Sequence, residues 1–371
     1  MLRAILCLRL WRGMSPDRRG NRRARVRSLC MSTFGKTWFR SRLFVCSLVG
    51  LIALAFTGGR SHADNPFGTP EPFDADRPGT IVLHGGGRIT NEVFDRFVEL
   101  AGGRKARIVL VPSAGFDSRN YETRGDFLKA LQTRYSSWFA LKRHQEIADL
   151  TIVHSENAED ADRDAFVAPL KHATAVWFTG GDQARLNYRY VGGEDDTLFQ
   201  MEVKNVLRRG GVVGGTSAGT AVIPEIMTMR AAQEGDGDPL TARVAHGLGL
   251  VNRMIVEQHF DTRVGRMERF LGLLKDDVRL SKWSQRNNAG IGMMGLAVDE
   301  PGTAEISGST IRAWGPGHIH LFVKRSGGRT LEWHDIGPDE QLHVESVNGE
   351  DDYRVTRVTE LDERREPIAE R

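Results

Sequence analysis

The chain has 371 residues, of which 40% are hydrophobic and 27% are charged. This length and composition suit one large or two ordinary globular domains and allow a sizeable buried core. The net charge of +3 is unevenly placed, because residues 1–63 contain thirteen Arg or Lys and one Asp, which leaves about −9 for residues 64–371. An acidic body argues against a nucleic-acid-binding protein, since the phosphates of nucleic acid attract Lys and Arg.

The basic N-terminal segment has the pattern of an export signal. A run of fourteen apolar residues, Leu43 to Phe56, follows a basic stretch at 36–42, and the small residues Ser61 and Ala63 come after it. This order of features is typical of a secretory signal peptide cleaved after Ala63, and the run is too short to span a bilayer comfortably. We therefore expect residues 1–63 to be an N-terminal extension with a signal peptide. The mature protein would be periplasmic or extracellular, without stable membrane insertion. An uncleaved anchor is the alternative.

The sequence indicates no cofactor. All three cysteines precede the predicted cleavage site, namely Cys7, Cys30 and Cys46, so the mature chain would contain no disulfide, thiolate zinc site or cysteine nucleophile. Neither an H-E-x-x-H motif nor an EF-hand loop occurs, so we expect no metal. The segment GIGMMG at 290–295 matches G-x-G-x-x-G but precedes a strand pattern. It therefore does not indicate a dinucleotide site.

Residues 64–79 are rich in Pro, Asp and Gly and indicate a linker. From Thr80 onwards, short apolar runs alternate with helical patterns. The predicted strands are, in chain order, TIVLH, ARIVLVPSA, DLTIVH, ATAVWF, VVGG, MIVEQ and MGLAV. The predicted helices are NEVFDRFVELAGG, ETRGDFLKALQTRY, DADRDAFVAPL, TLFQMEVKNVLRRGG and an Arg-rich segment after MIVEQHF.

This alternation predicts an α/β fold with a mostly parallel sheet flanked by helices on both faces. From about Gly302 the apolar alternation with glycine turns predicts antiparallel strands. We therefore expect residues 80–371 to form a single α/β domain with a β-rich C-terminal tail. Ligand sites in such sheets lie beyond the carboxyl ends of the strands, where HGGG, FTGG and GGTSAG all fall.

The segment GTSAG at 215–219 matches the nucleophile elbow G-x-S-x-G. In an elbow the serine lies on a sharp strand-to-helix turn, and small neighbours such as Gly215 and Gly219 avoid a clash. Ser217 is therefore the candidate nucleophile, and the N–H of Ala218 is a candidate oxyanion donor. A tight strand-to-helix turn without a catalytic role is the alternative.

A serine nucleophile needs a base and a carboxylate that orients it. The apolar run MIVEQ leads directly into His259, and MGLAV leads into Asp299 and Glu300. The resulting order of Ser, His and acid differs from the order Ser, acid, His of α/β-hydrolases, which would require a late histidine such as His343. The late histidines lie in the predicted β-rich tail, which makes the second order less attractive.

The motifs FTGGDQARL, GGTSAGT, EQHFDTR and MGLAVDE resemble those of the cyanophycinase and aspartyl-dipeptidase family of serine peptidases. The resemblance covers about Thr80 to Lys324 and is closer to the cyanophycinase branch. This family is similar in fold to class I glutamine amidotransferases but carries Ser in place of Cys. The resemblance implies that Ser217 is the nucleophile, His259 the general base and Glu300 the acid of the triad.

The resemblance also implies which residues bind the substrate. The oxyanion donors would be the backbone amides of Gly181 and Ala218. The pocket would be lined by Gln183, Glu257, Gln258, Arg263, Arg266 and Arg269. Two residues depart from the family pattern, because Glu257 replaces an Asp and Thr220 replaces an Ala. The segment RLSKWSQRNNAG, at 279–290, is the predicted insertion.

The activity implied by the resemblance is hydrolysis of cyanophycin to β-Asp-Arg dipeptides. Cyanophycin is a polyaspartate chain with arginine on each β-carboxyl. An exported enzyme would act on polymer released from other cells. A peptidase for short aspartyl or isoaspartyl peptides and a catalytically inactive binding protein are the alternatives, and the existence of a homodimer is left open.

Overall fold

The architecture is that of a computed structural model, which describes residues 65–74, 76–193, 195–229, 242–284, 292–325, 330–347 and 352–358. The predicted signal segment, residues 285–290 of the predicted insertion and the last part of the C-terminal tail lie outside the described residues. All described residues belong to one structural unit, and the predicted boundaries at residues 63 and 79 stay predictions.

Every predicted strand is present among the described strands and helices, which also include elements that were not predicted, namely β6, β7, α3, α5 and α9. The strands are β1 (Thr80–His84), β2 (Arg107–Val111), β3 (Asp149–Ile152), β4 (Ala175–Phe178), β5 (Val212–Thr216), β6 (Ile226–Thr228), β7 (Val244–His246), β8 (Met254–Gln258), β9 (Met294–Val298), β10 (Thr303–Ser307), β11 (Thr310–Trp314), β12 (Ile319–Lys324), β13 (Leu331–Ile336), β14 (Gln341–Ser346) and β15 (Tyr353–Val358). The helices are α1 (Asn91–Leu100), α2 (Arg124–Arg134), α3 (Ser136–Arg143), α4 (Asp164–Val167), α5 (Gln183–Tyr190), α6 (Leu198–Arg208), α7 (Ala218–Ala221), α8 (Arg266–Leu274) and α9 (Asp277–Trp283).

The larger sheet has the strand order β15-β14-β11-β10-β1-β5-β4-β2-β3. The five strands from β1 to β3 in this order are parallel to one another. The other four extend the sheet by antiparallel pairing, beginning with β10 on β1. This arrangement confirms the predicted parallel sheet and the predicted β-rich C-terminal portion.

Helices cover both faces of the parallel strands, as predicted. Alternate residues of β2 show this, because Ile108 and Leu110 belong to a hydrophobic cluster with residues of α1, α2 and α3. Val109 and Val111 point to the opposite face and pack in a second cluster with residues of α5 and α6. Because both faces are buried, the strands have near-continuous apolar sequences instead of alternating ones.

A second sheet, in the order β13-β12-β9-β8-β6-β7, contains the strands that lead to His259 and Glu300. Its strands β6, β8 and β9 are parallel, and the outer pairs are antiparallel. Val256 of β8 and Leu296 of β9 share one hydrophobic cluster with strands of the larger sheet. Their shared core therefore packs the two sheets together.

The segment DADRDAFVAPL is less regular than the predicted helix. It contains only the short α4, flanked by two 3-10 turns at Ala158–Asp162 and Ala168–His172. Pro169 lies in the first turn of the second 3-10 segment. Because proline has no backbone N–H, it cannot continue the helical hydrogen-bond pattern of α4.

Two features are absent from the described residues. No helix in them is both long enough and apolar enough to cross a bilayer. In the same part of the chain, no group of three or more His, Cys, Asp or Glu is arranged to hold a metal ion.

Candidate active site

Ser217 lies on a strained turn between β5 and α7. Its backbone has φ 54° and ψ −113°, a conformation that non-glycine residues rarely adopt and that is found in nucleophile elbows. A Cβ atom on Gly215 would overlap the backbone of Gly219, and one on Gly219 would overlap the carbonyl of Phe178. The two glycines of the motif are therefore required by close backbone approach, as predicted from the sequence.

The structure brings Ser217, His259 and Glu300 together in one chain of hydrogen bonds. Ser217 Oγ lies 2.7 Å from His259 Nε2, and His259 Nδ1 contacts Glu300 Oε2. Ser217 follows β5 of the larger sheet, whereas His259 and Glu300 follow β8 and β9 of the second sheet. The site therefore lies where the carboxyl ends of strands from two sheets meet.

The electrostatics of the site suit a neutral imidazole beside an ionised carboxylate. Burial lowers the pKa of His259, and the positive charge of Arg263 also lowers it, while Glu300 opposes the shift. The hydrogen bond from His259 lowers the pKa of Glu300. A neutral His259 that donates from Nδ1 to Glu300 leaves Nε2 free to accept the proton of Ser217.

A glycine loop after β1 holds the imidazole and the carboxylate. His259 N donates to Gly85 O at 3.0 Å. A Cβ on Gly86 would overlap the ring of His259, and a Cβ on Gly87 would overlap the side chain of Glu300. The position of this HGGG turn at the sheet edge was predicted from the sequence, but its role was not. The sequence feature that could have indicated this role is the run of three glycines at the carboxyl end of a buried strand.

His84, the last residue of β1, is a second group that sequence reasoning missed. Its carbonyl accepts hydrogen bonds from Ser217 N and from Thr220 Oγ1. Its Nδ1 lies 2.8 Å from Thr216 Oγ1 and accepts from Gly86 N. Burial lowers the pKa of His84 to about 4, so the ring is neutral and the hydrogen bonds join the serine turn to the glycine loop.

The backbone amides of Gly181 and Ala218 are free to bind an oxyanion. Neither N–H has a hydrogen-bond acceptor within the described part of the chain. Gly181 has φ 149°, and a Cβ there would overlap the carbonyl of Ala114. A Cβ on the preceding Gly180 would lie 3.4 Å from Ser217 Cβ, which places this loop against Ser217.

A cavity of about 280 Å³ opens beside this loop. Its lining residues are Gly181, Asp182, Gln183, Met229, Arg263, Val264, Arg266 and Arg269. Gln183 Nε2 donates to Thr228 O at 3.2 Å, and Asp182 caps α5 by accepting from Ala184 N. Four of the predicted binding residues therefore line the cavity, namely Gln183, Arg263, Arg266 and Arg269.

Glu257 and Gln258 lie behind the cavity and do not line it. The carboxylate of Glu257 is fully buried and accepts from Arg266, and it also accepts from Arg269 Nη2 at 2.9 Å. Arg266 also donates to the side chain and the backbone carbonyl of Gln258. The exposed Arg263 makes no such contact. One carboxylate therefore orients two guanidinium groups, and the cavity wall keeps an excess of positive charge.

Residues 81–280 match the family model of peptidase family S51. The chain belongs to this family. The match confirms the family that the sequence motifs indicated. It spans the serine turn and the histidine motif, whereas Glu300 lies beyond its end.

Several curated cyanophycinases are similar to this S51 chain. That of Geminocystis herdmanii is 33% identical over 186 residues, which cover 50% of this chain and 62% of the relative. That of Synechococcus elongatus is 26% identical over 255 residues, which cover 68% of this chain and 69% of the relative. The first alignment therefore spans less than two thirds of the Geminocystis protein.

One solved structure, a peptidase from an acI-B1 actinobacterium, aligns with 72% of this chain and 97% of its own. The TM-score is 0.49 and the sequence identity is 19%.

Proposed function

We propose that this protein is an exported serine peptidase that hydrolyses cyanophycin to β-Asp-Arg dipeptides. The observation that carries the proposal is the chain of hydrogen bonds from Ser217 Oγ through His259 to Glu300. In such an arrangement the imidazole takes the hydroxyl proton, while the carboxylate holds the ring and stabilises the imidazolium.

The proposed reaction is acyl transfer from an amide to water. Ser217 Oγ attacks the carbonyl carbon of the scissile amide as its proton passes to His259 Nε2. The C–N bond then breaks, and the same proton passes to the leaving amine. Water then attacks the acyl carbon as one of its protons passes to His259 Nε2. The bond from that carbon to Ser217 Oγ breaks, and the proton passes from His259 to Oγ. The amides of Gly181 and Ala218 bind the oxyanion, and loss of one such donor typically costs about 2.7–4 kcal/mol.

The cavity supports a substrate that carries carboxylates. A guanidinium group binds a carboxylate through two parallel hydrogen bonds, and three arginines line this cavity. An arginine joined by its amine to the β-carboxyl of aspartate keeps a free carboxylate of its own, which these arginines can bind. The names of the similar curated proteins support the same substrate.

Glu257 and Gln258 have an orienting role in this proposal, in place of the direct substrate contact expected from the resemblance. The Glu257 side chain is fully buried, so it acts through the arginines that it holds. The additional methylene of Glu257, compared with the Asp of the family pattern, extends the carboxylate from the end of β8 to α8.

Turnover of insoluble cyanophycin by the purified protein tests the proposal. We expect the polymer to be solubilised and β-Asp-Arg to appear in the mass spectrum. Both should be lost in Ser217→Ala and retained in Ser137→Ala, which changes an exposed serine of α3. Labelling of Ser217 by a fluorophosphonate without turnover would contradict cyanophycin as the substrate but would support Ser217 as the nucleophile. Absence of both labelling and turnover would favour an inactive binding protein.

A peptidase for short aspartyl or isoaspartyl peptides is the second candidate. The volume of about 280 Å³ favours it, because a cavity just below the usual range of about 300–1,000 Å³ for ligand sites holds a dipeptide more readily than a polymer segment. Adding β- and α-aspartyl dipeptides to the same assay decides between them. A kcat/KM higher for a dipeptide than for cyanophycin would select this second function.

A further inference from the structure

A second and larger cavity, of about 510 Å³, opens on the opposite edge of the larger sheet. Arg107, Thr174 and Gly211 line it, and they stand at or just before the first residues of β2, β4 and β5. Ser217 follows the other end of β5. A five-residue strand is about 16 Å long, so this cavity is separate from the cavity beside the serine.

The lining of this cavity is strongly basic. Its titratable lining residues are Arg77, Lys105, Arg107, Lys171, His172 and Arg209, and among the described residues no Asp or Glu lines it. Residues 64–371 carry a net charge of about −9. A cavity with this charge in an acidic body is therefore a local feature that the overall composition does not produce.

Most of these cations lack a carboxylate partner. Lys171 is paired with Asp164 at 3.0 Å. In contrast, the side chains of Arg77, Lys105 and Arg107 form no hydrogen bond or ion pair with any described residue. Unpaired cations that face a common cavity repel one another, and a bound anion would relieve this repulsion.

Arg209 is the fourth cation of the cavity without a carboxylate partner, and backbone carbonyls hold its side chain. Its Nη2 donates to Leu170 O at 3.0 Å and to Ala173 O at 3.4 Å. Burial lowers the pKa of Arg209, although the nearby Glu202 opposes this shift. A guanidinium group fixed by two carbonyls keeps its other N–H groups available to a ligand, at little further cost in side-chain entropy.

We propose that this cavity binds a compact polyanion that carries several linked phosphate groups. Guanidinium and ammonium groups are the usual partners of phosphate oxygens, and a volume of about 510 Å³ lies within the range of small-molecule sites. Leu100 and Val206 supply an apolar wall, which also accommodates the organic part of a phosphate ester. The proposal is independent of the reaction at Ser217.

Isothermal titration calorimetry of the full chain with sodium tripolyphosphate tests the proposal. Replacing two unpaired cations in the double variant Lys105→Gln/Arg107→Gln should weaken binding about tenfold or more, because each charged hydrogen bond to phosphate is lost. The matched control is Lys129→Gln/Arg134→Gln, which removes the same charge from exposed residues of α2. The control should bind like the wild type. The basic segment 1–63 is common to all variants and cannot cause a difference between them.

Inorganic monophosphate and ATP complete the comparison. Monophosphate should bind much more weakly than tripolyphosphate. Stronger binding of ATP would identify a nucleotide as the ligand, and stronger binding of tripolyphosphate an inorganic chain; both results support the site. Unchanged affinity in Lys105→Gln/Arg107→Gln, an equal loss in the α2 control, or equal affinity for monophosphate would overturn the proposal. Binding to phosphatidylglycerol vesicles without binding to tripolyphosphate would also overturn it.

Discussion

In the proposed mechanism His259 is neutral when it accepts the proton of Ser217, and its surroundings favour that form. Burial and Arg263 disfavour the imidazolium, whereas Glu300 favours it. The two charged neighbours therefore act in opposite directions on one pKa. The effects of Glu300 and Arg263 can therefore be separated by experiment, because removing one should shift the pKa of His259 in the opposite direction from removing the other.

We predict that kcat/KM of the wild type rises with pH and levels off above a pKa below the usual value of about 6.5 for His. Glu300→Gln should move this midpoint to lower pH and reduce kcat by roughly 10³–10⁴-fold, because the imidazolium loses its partner. Arg263→Gln should move the midpoint to higher pH. Profiles of kcat/KM between pH 4 and pH 8 measure both shifts. Shifts in the same direction in both variants would contradict the opposite effects of Glu300 and Arg263 on the pKa of His259.

His84 should make the protein sensitive to acid. Its pKa is about 4 in the folded state because of burial, compared with about 6.5 in the unfolded chain. Between these values only the unfolded chain binds the proton, so stability is complete above pH 6.5 and falls as the pH decreases towards 4. The loss should reach roughly 3 kcal/mol.

Urea unfolding at several pH values measures this effect. In His84→Asn, whose amide oxygen can replace the Nδ1 acceptor, the free energy of unfolding should change less between pH 7 and pH 4.5 than in the wild type. Parallel stability curves for the two proteins would show that His84 is not the responsible group.

At the level of elements, the loop Gly85–Gly87 after β1 connects the two halves of the site. It belongs to the larger sheet, like the serine, but it contacts His259 and Glu300, which follow strands of the second sheet. His259 and Glu300 can occupy their positions beside Ser217 only because Gly86 and Gly87 have no Cβ atoms.

We predict that Gly86→Ala reduces kcat by about 10²-fold or more, because the added methyl displaces the imidazole and small misplacements of a catalytic group are costly. Gly103→Ala is the matched control, since Gly103 also has a positive φ but an added Cβ there meets nothing within 4 Å. The control should lose stability through its backbone and keep its kcat. Equal kcat values in the two variants would contradict the positioning role.

The end of β8 and the start of α8 form a second positioning element through Glu257. We predict that Glu257→Gln lowers the free energy of unfolding by about 3–5 kcal/mol, because two buried guanidinium groups lose their counter-charge. KM should rise more than kcat falls. The control Glu159→Gln removes an exposed carboxylate, 79% accessible, from its pair with Arg163, and should cost less than about 1 kcal/mol. Similar losses in both variants would contradict the buried network.

The whole molecule divides its charge between a basic N-terminal segment and an acidic body. If the protein is exported as proposed, cleavage after Ala63 removes that segment, and we predict a mature N-terminus at Asp64. Intact-mass measurement of protein collected from the periplasm or the medium checks it. Ala63→Arg should block processing, because the cleavage site requires a small residue at this position. A secreted product that retains residues 1–63 would contradict the prediction.

The fold class, the order of most elements and the three residues that form the hydrogen-bonded chain could be predicted from the amino-acid sequence. Hydrophobic periodicity is a local property, so it marked β1–β5, β8 and β9 without knowledge of their partners. The elbow at Ser217 was equally readable, because the steric need for Gly215 and Gly219 arises within five residues. The resemblance to a known family supplied the roles expected of His259 and Glu300.

The sequence did not predict that strands from two different sheets build the site, which the folded arrangement shows. The residue pattern of a strand does not specify which strand it pairs with. The sequence therefore did not show that β5 lies in a different sheet from β8 and β9. For the same reason the roles of His84, Gly86 and the buried Glu257 were not predicted. Each depends on atoms that approach from distant parts of the chain, and such contacts leave no periodic signal in the residues that make them.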